Sequence, residues 1–380
     1  MGQRVGRARA VASVAGMALL ATALTACAGV AGTPSASGIS GVLSSAAGSS
    51  AATASSPASS AAASSGSSVR SSSSASSSNG GVSRPAAVPG LPHAAPLPDN
   101  ILLGTRSAGG SEDLYHIDST TGAVGEKLTN GAGGPQFAIL SPDRGTVVYV
   151  QTGDGSQLRT MAVDGVGDRE MFAALPEGCD SLLRPAWNPV DPTELAVVCV
   201  KSDGASELKL MGIDGTVRST LNPGIVHLDD LAYSPDGTTL LYWGSQNKGD
   251  NGGPLYLQSA DGKGLPKQIT TPGGSNDADG TFSPDGSTVV FRRATTSSSQ
   301  IISMRTDGTA LTPVTDGTSY DQDPTISPDG TQIAFKSNRN NAAGTSDAQI
   351  WVIGMDGSGL RQLGIGSPGI ADGAPAWGHR

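Results

Sequence analysis

The sequence predicts an all-β fold, a six-bladed β-propeller closed by its C-terminal strand. Two recurring phrases and one unmatched strand support this. "SPDG" or a variant begins at Ser141, Ser234, Ser283 and Ser327, with "WNPVDP" in the gap at Asn188, so that successive copies stand 47, 46, 49 and 44 residues apart. An Asp-Gly pair keeps the same time at Asp164, Asp214, Asp261, Asp307 and Asp356, spaced by 50, 47, 46 and 49. A period of this size is that of a four-stranded blade, which cannot cover both faces of its own sheet and must stack on neighbours.

One unit shows how the phrases work. In residues 321–363 an innermost strand "PTI" enters "SPDG", where proline fixes φ and glycine takes the positive φ that returns the chain as "TQIAFKS". A third strand, "AQIWVIGM", runs into the hairpin signal Asp356-Gly357, and "LRQL" supplies the fourth. The segment 100–129 carries second, third and fourth strands with no innermost strand before it. "APAW" at 374–377, which matches "RPAW" at 184–187, provides the missing one. It completes the first blade, closes the ring and leaves no open edge. Residues 99–380 then divide into six blades of 47 residues, the observed period.

The residues before the propeller read differently. Arg4, Arg7 and Arg9 precede the apolar run "VASVAGMALLATAL", too short to span a bilayer and typical of a secretory signal over residues 1–26. "LTAC" follows, and it resembles the lipobox of bacterial lipoproteins, which implies a diacylglyceryl group on Cys27 and anchoring at the extracytoplasmic face of the membrane. From there to residue 98 the chain is Ser, Ala, Gly and Pro with few large apolar groups, the composition of an unfolded tether reaching about 45 Å. The expected organisation is a signal peptide at 1–26, a lipidated cysteine and linker at 27–98, and a propeller at 99–380.

Charge narrows the partners. After residue 98 there are 19 basic and 33 acidic residues, a formal charge of −14. Such a surface repels nucleic acid and anionic headgroups, so membrane contact is expected only through the N-terminal lipid. Blades with "FSPDG" or "ISPDG" followed by "MRTDG" or "GMDG" resemble the TolB-like propeller repeat across essentially all of residues 100–380. That resemblance implies a six-bladed module that interacts through its channel mouth, where similar propellers bind peptide segments of envelope proteins; a monomer is expected. The small N-terminal α/β domain of TolB is replaced here by the anchor and tether.

Topology sets the "SPDG" and Asp-Gly turns on one face and the connections between blades on the other. The turn aspartates Asp143, Asp236, Asp285 and Asp329 are read as turn formers. On the opposite face stand Asp229, Asp230, Asp277, Asp279, Asp321, Asp323 and Asp372. Asp277, Asp321 and Asp372 each lie six residues before equivalent positions, so an acidic rim is expected around the channel, suited to a basic peptide, an envelope protein or calcium. No other cofactor is expected. No nucleophile elbow, phosphate loop or zinc-binding helix motif occurs, and the enzymatic alternative rests on His227 beside Asp229 and Asp230 as a metal or acid–base site. Cys179 and Cys199 suit one disulfide in an exported protein, contributing roughly 3 kcal/mol.

Overall fold

A computed structural model describes residues 87–108, 111–130, 134–152, 156–271, 276–340, 348–364 and 371–378. The chain divides into two units, Met1–Gly81 and Val82–Arg380, and all the described residues belong to the second. The signal peptide, Cys27 and most of the tether lie outside the described residues.

Alternating β-branched and aromatic residues with a turn every few positions give short strands, and among the described residues 24 of them form six four-stranded antiparallel sheets. In the first blade, β1 (Ile101–Ala108), β2 (Ser111–Asp118) and β3 (Val124–Lys127) lie in chain order. The second blade holds β4 (Pro135–Leu140), β5 (Thr146–Gln151), β6 (Gln157–Ala162) and β7 (Arg169–Glu170). The third holds β8 (Ser181–Trp187), β9 (Glu194–Val200), β10 (Ser206–Gly212) and β11 (Val217–Leu221). In the fourth are β12 (His227–Tyr233), β13 (Thr239–Ser245), β14 (Leu255–Ser259) and β15 (Lys267–Gln268). The fifth has β16 (Asn276–Phe282), β17 (Thr288–Ala294), β18 (Ser299–Arg305) and β19 (Thr312–Pro313). The sixth has β20 (Asp321–Ile326), β21 (Gln332–Ser337), β22 (Gln349–Gly354) and β23 (Arg361–Gln362).

The last strand, β24 (Ala371–Ala376), pairs antiparallel with β1 and supplies the innermost strand of the first blade. The innermost strands then neighbour one another in a closed circle, β24, β4, β8, β12, β16, β20 and back to β24. The six-bladed ring and its C-terminal closure are as expected. Second strands such as β5, β9 and β13 are buried on both faces because each is sandwiched between adjoining blades. Leu208 and Leu210 of the third blade, for example, pack with Leu240 and Tyr242 of the fourth. Burying side chains of this size stabilises by about 1.5–3 kcal/mol each, which makes the inter-blade layers the main apolar core.

The repeated turn is a small hydrogen-bonded device. Ser234 Oγ donates to Asp236 Oδ1 at 2.6 Å and accepts from the Thr239 N–H at 3.0 Å, while Gly237 takes φ +71°. The bonds from Ser234 and Thr238 hold the Asp236 carboxyl below its ordinary range. Ser283 with Asp285 and Ser327 with Asp329 repeat the geometry. "WNPVDP" rebuilds it with an amide, as Asn188 Oδ1 accepts from the N–H groups of Val190 and Asp191, both at 3.0 Å.

The second blade departs from the pattern in a consequential way. Where the three later "SPDG" turns carry Gly237, Gly286 and Gly330 it has Arg144, held at φ +62° and fully buried. Its guanidinium donates to the carbonyl oxygens of Leu97 (3.2 Å), Pro98 (2.9 Å), Ile101 (2.7 Å) and Trp377. One side chain thus ties the start of β1 to the residue that follows β24.

The boundary at residue 98 needs correction. Residues 87–98 are packed against the second blade: Val88 and Leu97 are buried, Thr146 Oγ1 donates to Pro92 O at 2.7 Å, and His93 Nε2 meets Asp143 Oδ2 at 2.6 Å. Val88, Leu91 and Leu97 each join a core between blades. Averaged over a long Ser/Ala stretch, three apolar residues leave no compositional signal, although they are enough to seat a strap.

Arg144→Gly restores the residue used by the other turns and removes left-handed strain, yet it strands four carbonyls. Urea denaturation is expected to show a loss of about 2–4 kcal/mol. Unchanged or raised stability would mean that closure does not depend on this side chain.

Candidate functional site

Five innermost strands break register against their neighbours at the same place. The residue at the break stands four positions before the turn and has positive φ in every case: Phe137 (51°), Arg184 (48°), Asp230 (59°), Asp279 (54°) and Asp323 (51°). None is glycine, and an L-residue in this region costs about 1–2 kcal/mol. Repeated backbone strain of this kind marks positions whose side chains are being aimed. Here all five line an axial cavity, joined by Ala374 from β24.

The ring is charged and interlocked. The Arg184 guanidinium lies 3.7 Å from the centre of the Phe137 ring and reaches Asp230 Oδ1 (2.8 Å) and Asp229 Oδ1 (3.2 Å). From β17, Arg292 meets Asp279 Oδ2 at 2.7 Å. Asp230 Oδ2 accepts from Trp243 Nε1 at 2.7 Å and from the Asp279 N–H at 2.9 Å, and Asp279 Oδ2 accepts from the Asp323 N–H at 3.2 Å. Asp230 and Asp279 therefore each hold the backbone of the next blade.

Two features leave the network incomplete. Arg184 Nε, Asp230 Oδ1 and Arg292 Nε are buried and close to opposite charge, yet none has a hydrogen bond of proper geometry. Asp323 is held by its backbone N–H, while its carboxylate has no hydrogen-bond or ion-pair partner among the described residues. Lys336, Arg184 and Arg292 act on it only through space. Buried polar groups without partners call for an explanation, and three of the six such atoms among the described residues belong to this ring, the others being Thr160 Oγ1, His227 Nδ1 and Trp351 Nε1.

The titration of the ring follows from this arrangement. Burial works against the Arg184 charge, but Asp230, Asp229, Asp279 and Asp323 outweigh it and hold its pKa above the ordinary value. Burial pushes the Asp230 carboxyl up against the pull of Arg184. Burial also opposes ionisation of Asp279, yet Arg292 and Arg184 bring it below its usual range. For Asp323, burial and the neighbouring Asp279 both push the carboxyl up.

The cavity has a volume of about 220 Å³. One end is the charged ring. Its walls continue through Ile139, Ala186, Ala232, Thr281, Thr325 and Ala376, two residues further along each innermost strand, and Pro142, Pro189 and Pro235 line the end nearest the "SPDG" turns. Small side chains at the second level keep the axis unfilled.

The acidic rim expected from sequence is not what the fold builds. Asp230, Asp279 and Asp323 come together on the axis, whereas Asp277 and Asp321 are fully buried within their own blades. Asp277 makes a bidentate pair with Arg293, its cross-strand partner, at 2.7 and 2.8 Å. Asp321 is gripped by Arg339 at 2.8 and 2.8 Å and by Ser337 Oγ at 2.6 Å. The bulge between these positions and the ring breaks the two-residue alternation, so that residues six before the turn face their own second strand instead of the opening. Asp372 stands opposite Arg106 in the β24–β1 pairing, and its side chain lies outside the described residues.

The other expected groups are placed as follows. His227 packs edge-on to Trp243 at 5.2 Å with its Nδ1 buried and unbonded, and it does not line the cavity. Among the described residues no group of three or more His, Cys, Asp or Glu side chains is arranged to hold a metal ion. Guanidinium groups neutralise Asp230 and Asp279 instead. Cys179 and Cys199 form a disulfide that pins the turn before β8 to β9, with a Cα separation of 5.3 Å. Reasoning that looked for carboxylates missed Phe137, Arg184 and Arg292. The first two share the register of the ring aspartates, and Arg292 stands nine residues after Ser283, as Lys336 does after Ser327.

Fold and site together define a six-bladed propeller with a charged ring across its axial cavity. The chain belongs to the TolB beta propeller domain family, whose pattern it matches over residues 167–379. It is similar to TolB from Acinetobacter baumannii, with 18% identity and a TM-score of 0.60 over 74% of this chain, and spans 66% of that protein, just under two thirds. It is also similar to a putative TolB from Agrobacterium tumefaciens, with 19% identity and a TM-score of 0.56, covering 69% of this chain and 88% of that one. A chain of the nidogen/laminin complex gives a TM-score of 0.57 at 11% identity, covering 73% and 97%. At these identities the likeness is one of fold. No curated protein sequence matches the chain.

Two aspartates of one motif are expected to behave oppositely. Asp277→Asn leaves the half-buried Arg293 without its charged partner and should cost about 2–3 kcal/mol at neutral pH. Asp323→Asn removes a carboxylate whose folded-state pKa is raised and should gain on the order of 1 kcal/mol. Because a raised carboxyl destabilises the fold only as pH rises above its unfolded value, that gain should shrink on acidification. Denaturation at pH 7.5 and pH 4.5 reads both, and destabilisation by Asp323→Asn at pH 7.5 would refute the open-carboxylate description.

Proposed function

We propose that the chain is an exported binding module, held at the cell envelope by a lipid on Cys27. Its propeller engages a protein or peptide partner through the axial cavity. The observation that carries this reading is the incomplete ring. Strained backbone, buried charges without full hydrogen bonding and a small-residue wall converge on one cavity, and each of these costs stability that a purely structural axis would not need to spend.

Three further features support it. The apolar N-terminal run ending in "LTAC" fits export and lipidation. The Cys179–Cys199 disulfide suits an oxidising compartment outside the cytoplasm. A segment of 60 or so residues rich in Ser and Ala separates the cysteine from the strap, which suits a tether that lets the propeller reach partners away from the membrane. Membership of the TolB propeller family is compatible with a binding or scaffolding role.

The test places a photo-crosslinking amino acid at Thr281, on the cavity wall, and separately at Leu265, which is 92% exposed. In intact cells a discrete adduct in the membrane fraction is expected from position 281 and not from 265, and Cys27→Ser should move it to the soluble fraction. Equal labelling from both positions would remove the cavity from the contact, and membrane retention of the Cys27→Ser protein would remove the anchor.

A further inference from the structure

The walls and the charged end of the cavity differ in kind, and the combination specifies a ligand chemistry. The wall level formed by Ile139, Ala186, Ala232 and Ala376 is apolar, interrupted by Thr281 and Thr325. At its end Asp230 and Asp279 are already engaged by Arg184 and Arg292, which leaves Asp323 as the open acceptor. From the ring to the turns the innermost strands run four residues, about 13 Å. With about 220 Å³ available, the space is below the roughly 300–1,000 Å³ of ordinary small-molecule pockets and suits one unbranched chain.

We propose that the axial cavity takes an aliphatic primary ammonium group, its methylene stem along the alanine-rich wall and its charge on Asp323. The inference rests on the reading of this cavity as the binding site and adds what it selects. An ammonium is a compact charge with three donors, and the single open carboxylate of Asp323 suffices to accept from it. A guanidinium carries a wider planar fork on a shorter stem, for which a cavity of about 220 Å³ leaves less room. A divalent ion would need several free oxygens, which the ring does not provide. An anionic group would face Asp230, Asp279 and Asp323.

Lys336 sharpens the idea. It stands nine residues after Ser327, the place from which Arg292 reaches Asp279 in the fifth blade. It makes no ion pair with Asp323, yet its charge acts on that carboxylate. Its charge thus weakens the pull of Asp323 on a second cation, and removing it should favour the ligand.

Calorimetric titration of the full chain distinguishes two sources of the same chemistry. The probes are 1,5-diaminopentane, a free amine, and acetyl-alanyl-lysyl-alanine amide, a lysine presented on a peptide. Their uncharged controls are 1-pentanol and the norleucine peptide. Both charged probes, or the peptide alone, should bind at least tenfold more tightly than their controls. Asp323→Asn should weaken that binding at least tenfold, and Lys336→Met should tighten it. A peptide that exceeds the diamine tenfold points to a protein partner, and equal affinities point to a free amine. Charged probes no better than their controls, or binding unaffected by Asp323→Asn, would overturn the proposal. Should Asp323→Asn fail to fold, weaker or unchanged binding by Lys336→Met overturns it alone. Crosslinking from Thr281 that persists while amines fail to bind would leave the cavity a binding site of different chemistry.

Discussion

A single left-handed residue in each of five innermost strands decides what reaches the axis. A regular β-strand turns alternate side chains to opposite faces, and in a propeller both faces of the innermost strand would then serve blade packing. The bulge inserts one residue and swings it out of that alternation. Phe137, Arg184, Asp230, Asp279 and Asp323 owe their common placement to it. Without the bulge Asp277 and Asp279 would share a face, and the clean separation between a buried structural pair and an axial carboxylate would disappear.

The strain needs a rigid frame, and the ring closure supplies it. Pairing of β24 with β1 makes the circle continuous, and Arg144 binds the two chain segments that meet there. Trp377, 1% exposed, fills the joint and donates its indole N–H to Asp99 O at 2.7 Å. Across the axis, ring carboxylates accept backbone N–H groups from the following blade. The functional ring is therefore also part of the inter-blade stitching, and its members divide between those that hold the frame and Asp323, which does not.

Most of the fold was legible in the sequence because repeats announce themselves. Four near-copies of a turn, each with the same serine, proline and aspartate, together with "WNPVDP" in the gap, marked the blade period, and "APAW" without a blade to follow marked the closure. The site was legible only in part. Aspartates near the axis were found by residue type, but a bulge leaves no mark in a periodic pattern when the inserted residue is itself polar. Asp277 and Asp321 were thus grouped with the ring although they face Arg293 and Arg339. Arg184 and Phe137 share the ring register but not its chemistry, and a search for like residues passes over them. The strap at 87–98 was hidden for a different reason, since Val88, Leu91 and Leu97 act through position on the second blade and not through local pattern.

The bulge itself can be tested at Phe137, where both glycine and valine remove the ring that carries Arg184 and so differ mainly in backbone preference. Glycine accepts positive φ freely, whereas a β-branched residue does not. Urea denaturation should find Phe137→Gly more stable than Phe137→Val by at least about 1 kcal/mol. A valine variant as stable as the glycine one would contradict the left-handed bulge, and with it the convergence of these side chains on the axis.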